Sequence, residues 1–427
     1  MTEYHVSVEN SGRQIPVGRI EETDGDGGRF FYLDEYLQQP DAVPVSISLP
    51  LQTEAFSEEQ TRTFFEGLLP EGFTRKSVAQ HLRIDEGNYL SMLAGLGREC
   101  LGAIRISDDV PQPEAGYEKV TEKQIRELAA EGAVRSAEMV TKAHLSLTGA
   151  SGKAGLYFDG ASGEWYLPHG TAPSTHIVKQ SHVRLDGIVA NEQLCLLTAA
   201  HCGIAVPDSF IINTGSFRDE DVLFATKRYD RIIDERCETL DGLRKPFRLH
   251  QEDFAQAMGI PSIRKYESED GHYMEEMFSL LRRYSADPIT DQLRLWDMIV
   301  FNYLVGNTDG HIKNYSMLYS PDMQSMHLAP AYDLVSTVVY ESSTREMAFS
   351  IGGNLLVEDI TKESFQRAAE EVGLGERLAM SRFDDICGRF REALDASAGE
   401  LAELGFFQAE QIAQSILEKG GINRLNG

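Results

Sequence analysis

Apolar residues recur along this chain at two different periods, and the change from one to the other divides it. Over 4–50 a two-residue alternation in "HVSVEN", "RFFYLDEYL" and "VPVSISLPL", punctuated by Asp24, Gly25, Asp26, Gly27 and Gly28, predicts a small strand-rich unit. Helical spacing follows in "SEEQTRTFFEGLLP" and "DEGNYLSMLAGL", with Ser57 placed to cap a helix whose apolar face carries Phe64, Phe65 and Leu68. The polar, proline-bearing stretch 107–122 reads as a boundary. Strands return at "LYFDG", "EWYLP", "THIVK", "SFIIN" and "VLFATKRYD", around one helix near "ANEQLCLLTAAHCG". From about residue 250 the spacing in "EMFSLLRRY" and "LRLWDMIVFNYLV" is helical. A mixed half followed by a mainly helical half predicts a two-lobed α+β layout.

Composition narrows the class. A chain of 427 residues exceeds what one core holds, since cores rarely grow past roughly 250 to 300 residues. Its 42% hydrophobic and 25% charged residues are ordinary for a soluble globular protein, without the run of about 18 apolar residues that a membrane span needs. The start "MTEYHVSVEN" lacks a basic flank followed by an apolar stretch, so the expected location is cytoplasmic, with no membrane contact. Five scattered cysteines without a C-x-x-C pair exclude a disulfide framework. The net charge of −27 opposes a nonspecific grip on nucleic acid, so any role at DNA passes through a partner.

Candidate chemistry concentrates in "GNTDGHIKNY", 306–315, which follows directly on the apolar helix bearing Trp296, Ile299, Val300, Tyr303 and Leu304 at three- and four-residue steps. A polar loop on such a helix has a rigid base. Asp309 and Asn314 are separated by four residues, the D-x-x-x-x-N spacing of protein-kinase catalytic loops: the acid orients a hydroxyl and takes its proton, and the amide oxygen suits magnesium. A second magnesium ligand is expected after a hairpin in "YSMLYSPDMQSMHLAP", and Asp333 of "LAPAYDLVS" stands there. Lys313 is a candidate clamp on the transferred phosphoryl group. His311 is a candidate nucleotide-site residue that hydrogen-bonds within the loop, with proton transfer left open by its spacing. The same loop is equally consistent with a helix C-terminus closed by Gly306 and Asn307 and followed by a turn.

Upstream, Lys179 ends "THIVK" where a small-lobe strand lysine would hold phosphates. Before it, "SLTGASGKAGLYF" offers Gly149, Ala150, Ser151, Gly152 and Lys153 as a small-residue loop able to bring N–H groups to phosphate oxygens.

These segments, with "SISLPL", "FFEGLLPEG", "GREC", "LGAI", "ANEQLCL", "KRYDR", "HQEDFAQAMG", "IRKYES" and "APAYDLVST", resemble the HipA-like serine/threonine kinases, toxins of bacterial type II toxin–antitoxin pairs, over nearly the whole chain. The resemblance implies a two-lobed protein-kinase-like α+β fold of HipA type, divided as an N-terminal subdomain at 1–112, a kinase N-lobe at 113–230 and a helical C-lobe at 231–427. By position it implies ATP and Mg2+ as cofactors, Asp309 as base, Asn314 and Asp333 as magnesium ligands and Lys179 on the phosphates. It puts Lys227 to Tyr229 at the adenine hinge and makes Ser146 the serine whose autophosphorylation switches the enzyme off. Added charge there would conflict with bound ATP.

The family's partners would be a small helix-turn-helix antitoxin of HipB type, which makes the DNA contact, and a protein substrate among the aminoacyl-tRNA synthetases, whose modification arrests growth. Two features depart from the family pattern: Ala150–Lys153 replaces Ala-Gln-Glu-Lys, and Lys227 replaces an acid found in some relatives. A small-molecule phosphotransferase, or a pseudokinase that holds the antitoxin, are the competing readings.

Overall fold

The computed structural model describes residues 2–23, 27–97, 99–108, 114–131, 152–181, 185–269 and 271–425. The chain packs into two compact units, each discontinuous in sequence: residues 1–182, 212–262 and 318–326 form the first, and 183–211, 263–317 and 327–427 the second. The first unit thus holds nearly all of the expected N-terminal subdomain and N-lobe, while the second takes segments from either side of the 230/231 boundary.

The first unit is strand-rich. Strands β1 (Glu3–Asn10), β2 (Arg13–Glu22), β3 (Gly28–Tyr32) and β4 (Ile104–Ser107) make one sheet in the order β3-β2-β1-β4, antiparallel wherever β1 is paired. Alternation along β1 buries Tyr4, Val6 and Val8. The helix Glu58–Glu66 lies against this core: Ser57 and Gln60 complete a capping box, worth about 1 kcal/mol, and the Phe65 ring stands 5.3 Å from Phe30. A second sheet follows the order β5-β7-β6-β8-β10-β9, from β5 (Gly116–Lys119), β6 (Lys153–Asp159), β7 (Glu164–His169), β8 (His176–Gln180), β9 (Ser209–Asn213) and β10 (Val222–Lys227).

The alternating "VPVSISLPL" forms no strand beyond an isolated bridge between Ser46 and Leu49. Its backbone is engaged by side chains instead: the Val45 N–H donates to the Tyr32 hydroxyl at 2.9 Å and the Ile47 N–H to Glu252 at 3.1 Å. Pro44 and Pro50 lack the N–H a ladder requires.

At the heart of this unit lies a buried ionic cluster. Glu99 accepts from Arg228 (3.2 Å) and Arg231 (2.9 Å) on one carboxylate oxygen and from Arg248 (2.6 and 2.9 Å) on the other. Asp230 accepts from Arg228 and the Gly102 N–H, each at 2.8 Å, and Glu9 from the Arg248 backbone N–H at 2.8 Å.

The second unit is mainly helical, built from Ile188–His201, Tyr273–Tyr284, Pro288–Val305, Lys362–Glu371, Glu376–Glu403 and Gln408–Lys419. Pro288–Val305 starts with Pro288 at its first position and Asp287 accepting the Thr290 N–H. The spacing predicted one buried face, whereas every residue from Leu295 to Val305 is buried. Polar members of that run are buried because they are paired: Asp297 accepts from Arg382 at 2.8 Å, and Trp296 donates to the Ala379 carbonyl at 3.0 Å. Among the described residues no helix is long and apolar enough to cross a membrane.

Candidate active site

The second unit builds its site at the end of this buried helix. Gly306 takes the left-handed conformation (φ +69°), its N–H bonds to the Tyr303 carbonyl at 3.0 Å, and the Asn307 N–H reaches the Asn302 carbonyl at 2.8 Å. That pair of bonds is the Schellman closure, so the helix stop that the sequence allowed is real and also serves as the foundation of the polar loop. Asn302 then donates to the Tyr315 hydroxyl (3.0 Å), Asn307 donates to the Asn302 side-chain oxygen (2.8 Å), and the Asp309 N–H donates to the Asn307 side chain (3.2 Å). Thr308 is fixed through Thr337, whose hydroxyl accepts its N–H at 2.8 Å.

From Leu295 through Lys313 every residue is buried except Asp309, whose side chain is 54% exposed. The loop therefore buries its other side chains through Lys313 and exposes one carboxylate. Asn314 braces that carboxylate's backbone by donating from its side-chain nitrogen to the Asp309 carbonyl at 2.9 Å. The amide oxygen, the atom a hard cation takes, is thereby turned the other way. His311 is buried with its Nε2 4.0 Å from Asp309 Oδ1, and the Tyr266 hydroxyl donates to that same oxygen. Lys313 is buried in the short 3-10 turn Ile312–Asn314, its carbonyl accepting from the Tyr332 hydroxyl at 2.9 Å.

The expected hairpin forms from Ser316–Tyr319 and Met326–Leu328, turned by a Ser320 N–H bond to Ser325 O at 2.8 Å. Asp333 follows with φ +52°, and its carbonyl accepts from Asn307 at 3.4 Å, which ties the second acid's backbone to the loop. A non-glycine residue in this region costs on the order of 1 kcal/mol and persists where surroundings hold it. Among the described residues no group of three or more His, Cys, Asp or Glu is placed to hold a metal ion. The pair available is one amide and one carboxylate, hard oxygen donors that fit magnesium when phosphate oxygens and water complete the shell.

In the first unit, Lys179 lies on β8 directly opposite Lys153 of β6, and therefore on the same sheet face. Two lysines on one sheet face are the residues the sequence offered for phosphate oxygens. Lys179 is buried with its ammonium 5.3 Å from the Phe224 ring centre. Lys227, the last residue of β10, is exposed and Tyr229 half-buried, alternating with Arg228 and Asp230, which point into the ionic cluster. The Tyr229 hydroxyl donates to Gln251. Gly152 is described, whereas Ser146, Gly149, Ala150 and Ser151 lie outside the described residues.

The loop thus gathers Asp309, His311, Lys313 and Asn314, with Asp333 bonded to it through its backbone, in one unit; Lys153, Lys179, Lys227 and Tyr229 belong to the other. Sequence reasoning missed Asn302, Thr337 and Tyr266, and read Asn307 only as part of the helix stop. Tyr266 and Thr337 stand in the quoted stretches "IRKYES" and "APAYDLVST", where their polarity was the available signal.

Residues 11–107 match the HipA N-terminal domain and residues 145–394 the HipA-like C-terminal domain. A putative kinase, Y4mE of Sinorhizobium fredii, is 34% identical over 414 residues, covering 94% of each chain. The serine/threonine-protein kinase toxin HipA of Shewanella oneidensis is 27% identical over 376 residues, covering 83% of this chain and 81% of its own length. The structure of Shewanella oneidensis HipA with HipB and operator DNA matches with a TM-score of 0.80 over 99% of this chain and 97% of that one, at 23% identity. The fold is thus the two-lobed α+β fold of HipA.

Proposed function

The chain belongs to the HipA family, and on that premise we propose that it is an ATP-dependent serine/threonine protein kinase serving as the toxin of a toxin–antitoxin pair. The observation that carries the reading is the exposure of Asp309 alone in an otherwise buried loop, at kinase spacing from Asn314. In this reading Asp309 accepts the proton of an acceptor hydroxyl while the acceptor oxygen bonds to the γ-phosphorus of ATP and the bond to the β-bridging oxygen breaks. Asn314 and Asp333 are the residues that would hold magnesium, whose contribution when bound is to neutralise phosphate charge. Lys153 and Lys179 receive phosphate oxygens, Lys227 to Tyr229 flank the adenine, His311 supports the loop, and Lys313 offsets charge on the transferred group. Positioning and charge stabilisation supply most of the rate in such transfers.

The partner proposed is a small helix-turn-helix antitoxin of HipB type, in keeping with the HipB bound in the structural neighbour and with a net charge of −27 that leaves DNA contact to the partner. A translation component such as an aminoacyl-tRNA synthetase is the proposed protein substrate, and Ser146 the site of self-inactivation.

The test is intact-mass spectrometry of wild type and Asp309→Ala after incubation with Mg-ATP, with peptide mapping around Ser146. Wild type should gain one phosphate, and the variant should transfer at least about 100-fold more slowly with an unchanged melting temperature. Equal phosphate gain in both proteins would remove Asp309 from the base role.

A further inference from the structure

Asp309 is exposed, yet its carboxylate does not stand alone. The Tyr266 hydroxyl donates to Oδ1, and the Tyr266 ring meets the His311 ring edge-on, with centroids 5.3 Å apart at 81°. Tyr266 lies 43 residues before Asp309 in the chain and is itself 46% exposed, so burial does not hold it there. Its neighbours do. The Glu267 N–H donates to the Ala348 carbonyl at 2.9 Å, and the Glu267 carboxylate accepts the Ser350 N–H at 2.7 Å and the Tyr273 N–H at 2.8 Å. On the other side, the Tyr273 hydroxyl donates to the Arg264 carbonyl at 2.6 Å. The segment is therefore pinned on both sides of the tyrosine, within the same unit as the catalytic loop.

We propose that Tyr266 is a positioning residue that fixes the rotamer of the Asp309 carboxylate through its phenol, as Asn314 fixes the backbone beneath it. The inference rests on Asp309 being the base. An exposed carboxylate can turn about its side-chain torsions, and a general base works only within about 2.6–3.2 Å of the proton it takes. One hydrogen bond from an anchored donor to Oδ1 removes that freedom and directs the other oxygen towards the acceptor. The same contact admits another reading, in which the phenol occupies the acceptor's place and must leave. Anchoring on both sides of Tyr266 favours the brace, because an occupant that departs each cycle gains nothing from a pinned chain.

The two readings predict opposite results for Tyr266→Phe, which removes only the hydroxyl. Full-length wild type, Tyr266→Phe, Asp309→Ala and the double variant would be compared in single-turnover reactions with γ-labelled Mg-ATP, counting label on protein and label released to water. A brace predicts a transfer rate lowered about 10- to 100-fold in Tyr266→Phe, with half-saturating ATP within about twofold of wild type and an unchanged melting temperature. It also predicts a double variant no slower than Asp309→Ala alone, since the phenol acts only through that carboxylate. A Tyr266→Phe rate equal to or above wild type, with Asp309→Ala inactive, overturns the brace while leaving the kinase reading intact. Additive losses in the double variant would reduce Tyr266 to a packing role. Full transfer by Asp309→Ala would overturn the base assignment, and the brace with it.

Discussion

Glu99 and Asp309 are acids held by hydrogen-bond donors in two different units, and their surroundings are opposite. Glu99 is 1% exposed, and its donors include three buried guanidiniums and the Ser174 hydroxyl and N–H. Burial alone would raise its pKa, but the charges of Arg231, Arg248 and Arg228 prevail and hold the carboxyl well below its ordinary range. Asp309 instead stands 54% exposed on a loop whose other residues through Lys313 are buried. A strongly perturbed acid is often taken as the mark of a functional site. Here a strongly perturbed acid is closed off by its own chain, and the acid proposed as the base is an exposed one. Access to an acceptor is what the proposed base has and Glu99 lacks.

That contrast breaks first at Glu99. Glu99→Ala would leave Arg228, Arg231 and Arg248 crowded together without their shared counter-charge, and removing one side of a buried pair typically costs about 3–5 kcal/mol. Urea unfolding of the full chain should show a loss of that size, where Asp309→Ala shows none. If the Glu99→Ala midpoint lies within about 0.5 kcal/mol of wild type, the range of an ordinary surface substitution, the cluster is not the keystone its geometry suggests.

A second buried acid sharpens the comparison through pH. Glu252 accepts from the Ser46 hydroxyl at 2.5 Å, the Ile47 N–H at 3.1 Å and the Tyr319 hydroxyl at 2.5 Å, and has no cation among these partners. Burial pushes its pKa up to about 7, against the lowering effect of those donors. The folded state therefore binds a proton that the unfolded state has lost, and stability falls as pH rises from about 4.5 to about 7, by on the order of 3 kcal/mol. His250, two residues earlier, works the other way. Burial lowers its pKa to about 4, so its neutral folded form loses stability as pH falls from about 6.5 towards 4. The two slopes oppose each other between pH 4.5 and 6.5, and wild type should respond weakly there. Glu252→Gln removes one of them: its stability relative to wild type should rise between pH 5 and pH 8 by about 2 kcal/mol, read from denaturant midpoints at both values. A difference that does not change with pH would mean that Glu252 is ionised throughout.

Much of this was legible in the chain before any coordinates. Five strands of the second sheet, the Ser57 cap and the helix under the loop are local patterns, and the structure reproduces each, whereas β5 falls in the stretch 107–122 that read as a boundary. What escaped was long-range pairing. Glu99 finds its arginines 129 to 149 residues away, and Tyr266 reaches Asp309 across 43, distances that no periodicity encodes. The same blindness made Pro288–Val305 look one-faced. Periodicity registers Trp296, Ile299, Val300, Tyr303 and Leu304 but cannot anticipate that Arg382 would bury Asp297, or that Tyr315 and Asn307 would bury Asn302. "VPVSISLPL" failed in the opposite sense: its alternation was genuine, but Tyr32 and Glu252 engaged the backbone that a neighbouring strand would have needed.

A last predicted effect, below that at Glu99, lies at the joint between helix and loop. Gly306 has φ +69°, and a Cβ added there would lie 2.3 Å from a Val338 methyl. The backbone penalty for a non-glycine residue in this conformation is about 1–2 kcal/mol, and the contact adds steric strain that a buried valine cannot easily yield. Gly306→Ala should therefore cost about 2 kcal/mol or somewhat more by thermal denaturation. The two contributions can be separated. In a Val338→Ala background the two closest contacts disappear and only the 3.2 Å approach to the residue 338 Cβ remains, so Gly306→Ala should cost less there than in wild type. Because the Thr337 and Val338 N–H groups both bond to the Gly306 carbonyl, at 3.1 and 3.2 Å, a shift at this residue passes directly to the segment that fixes Thr308 beside Asp309. Transfer activity per folded molecule should consequently fall in Gly306→Ala and recover in part when Val338 is also truncated. An equal cost in both backgrounds would place the whole effect in the backbone, and the loop's geometry would then depend on the left-handed cap and not on its packing against Val338.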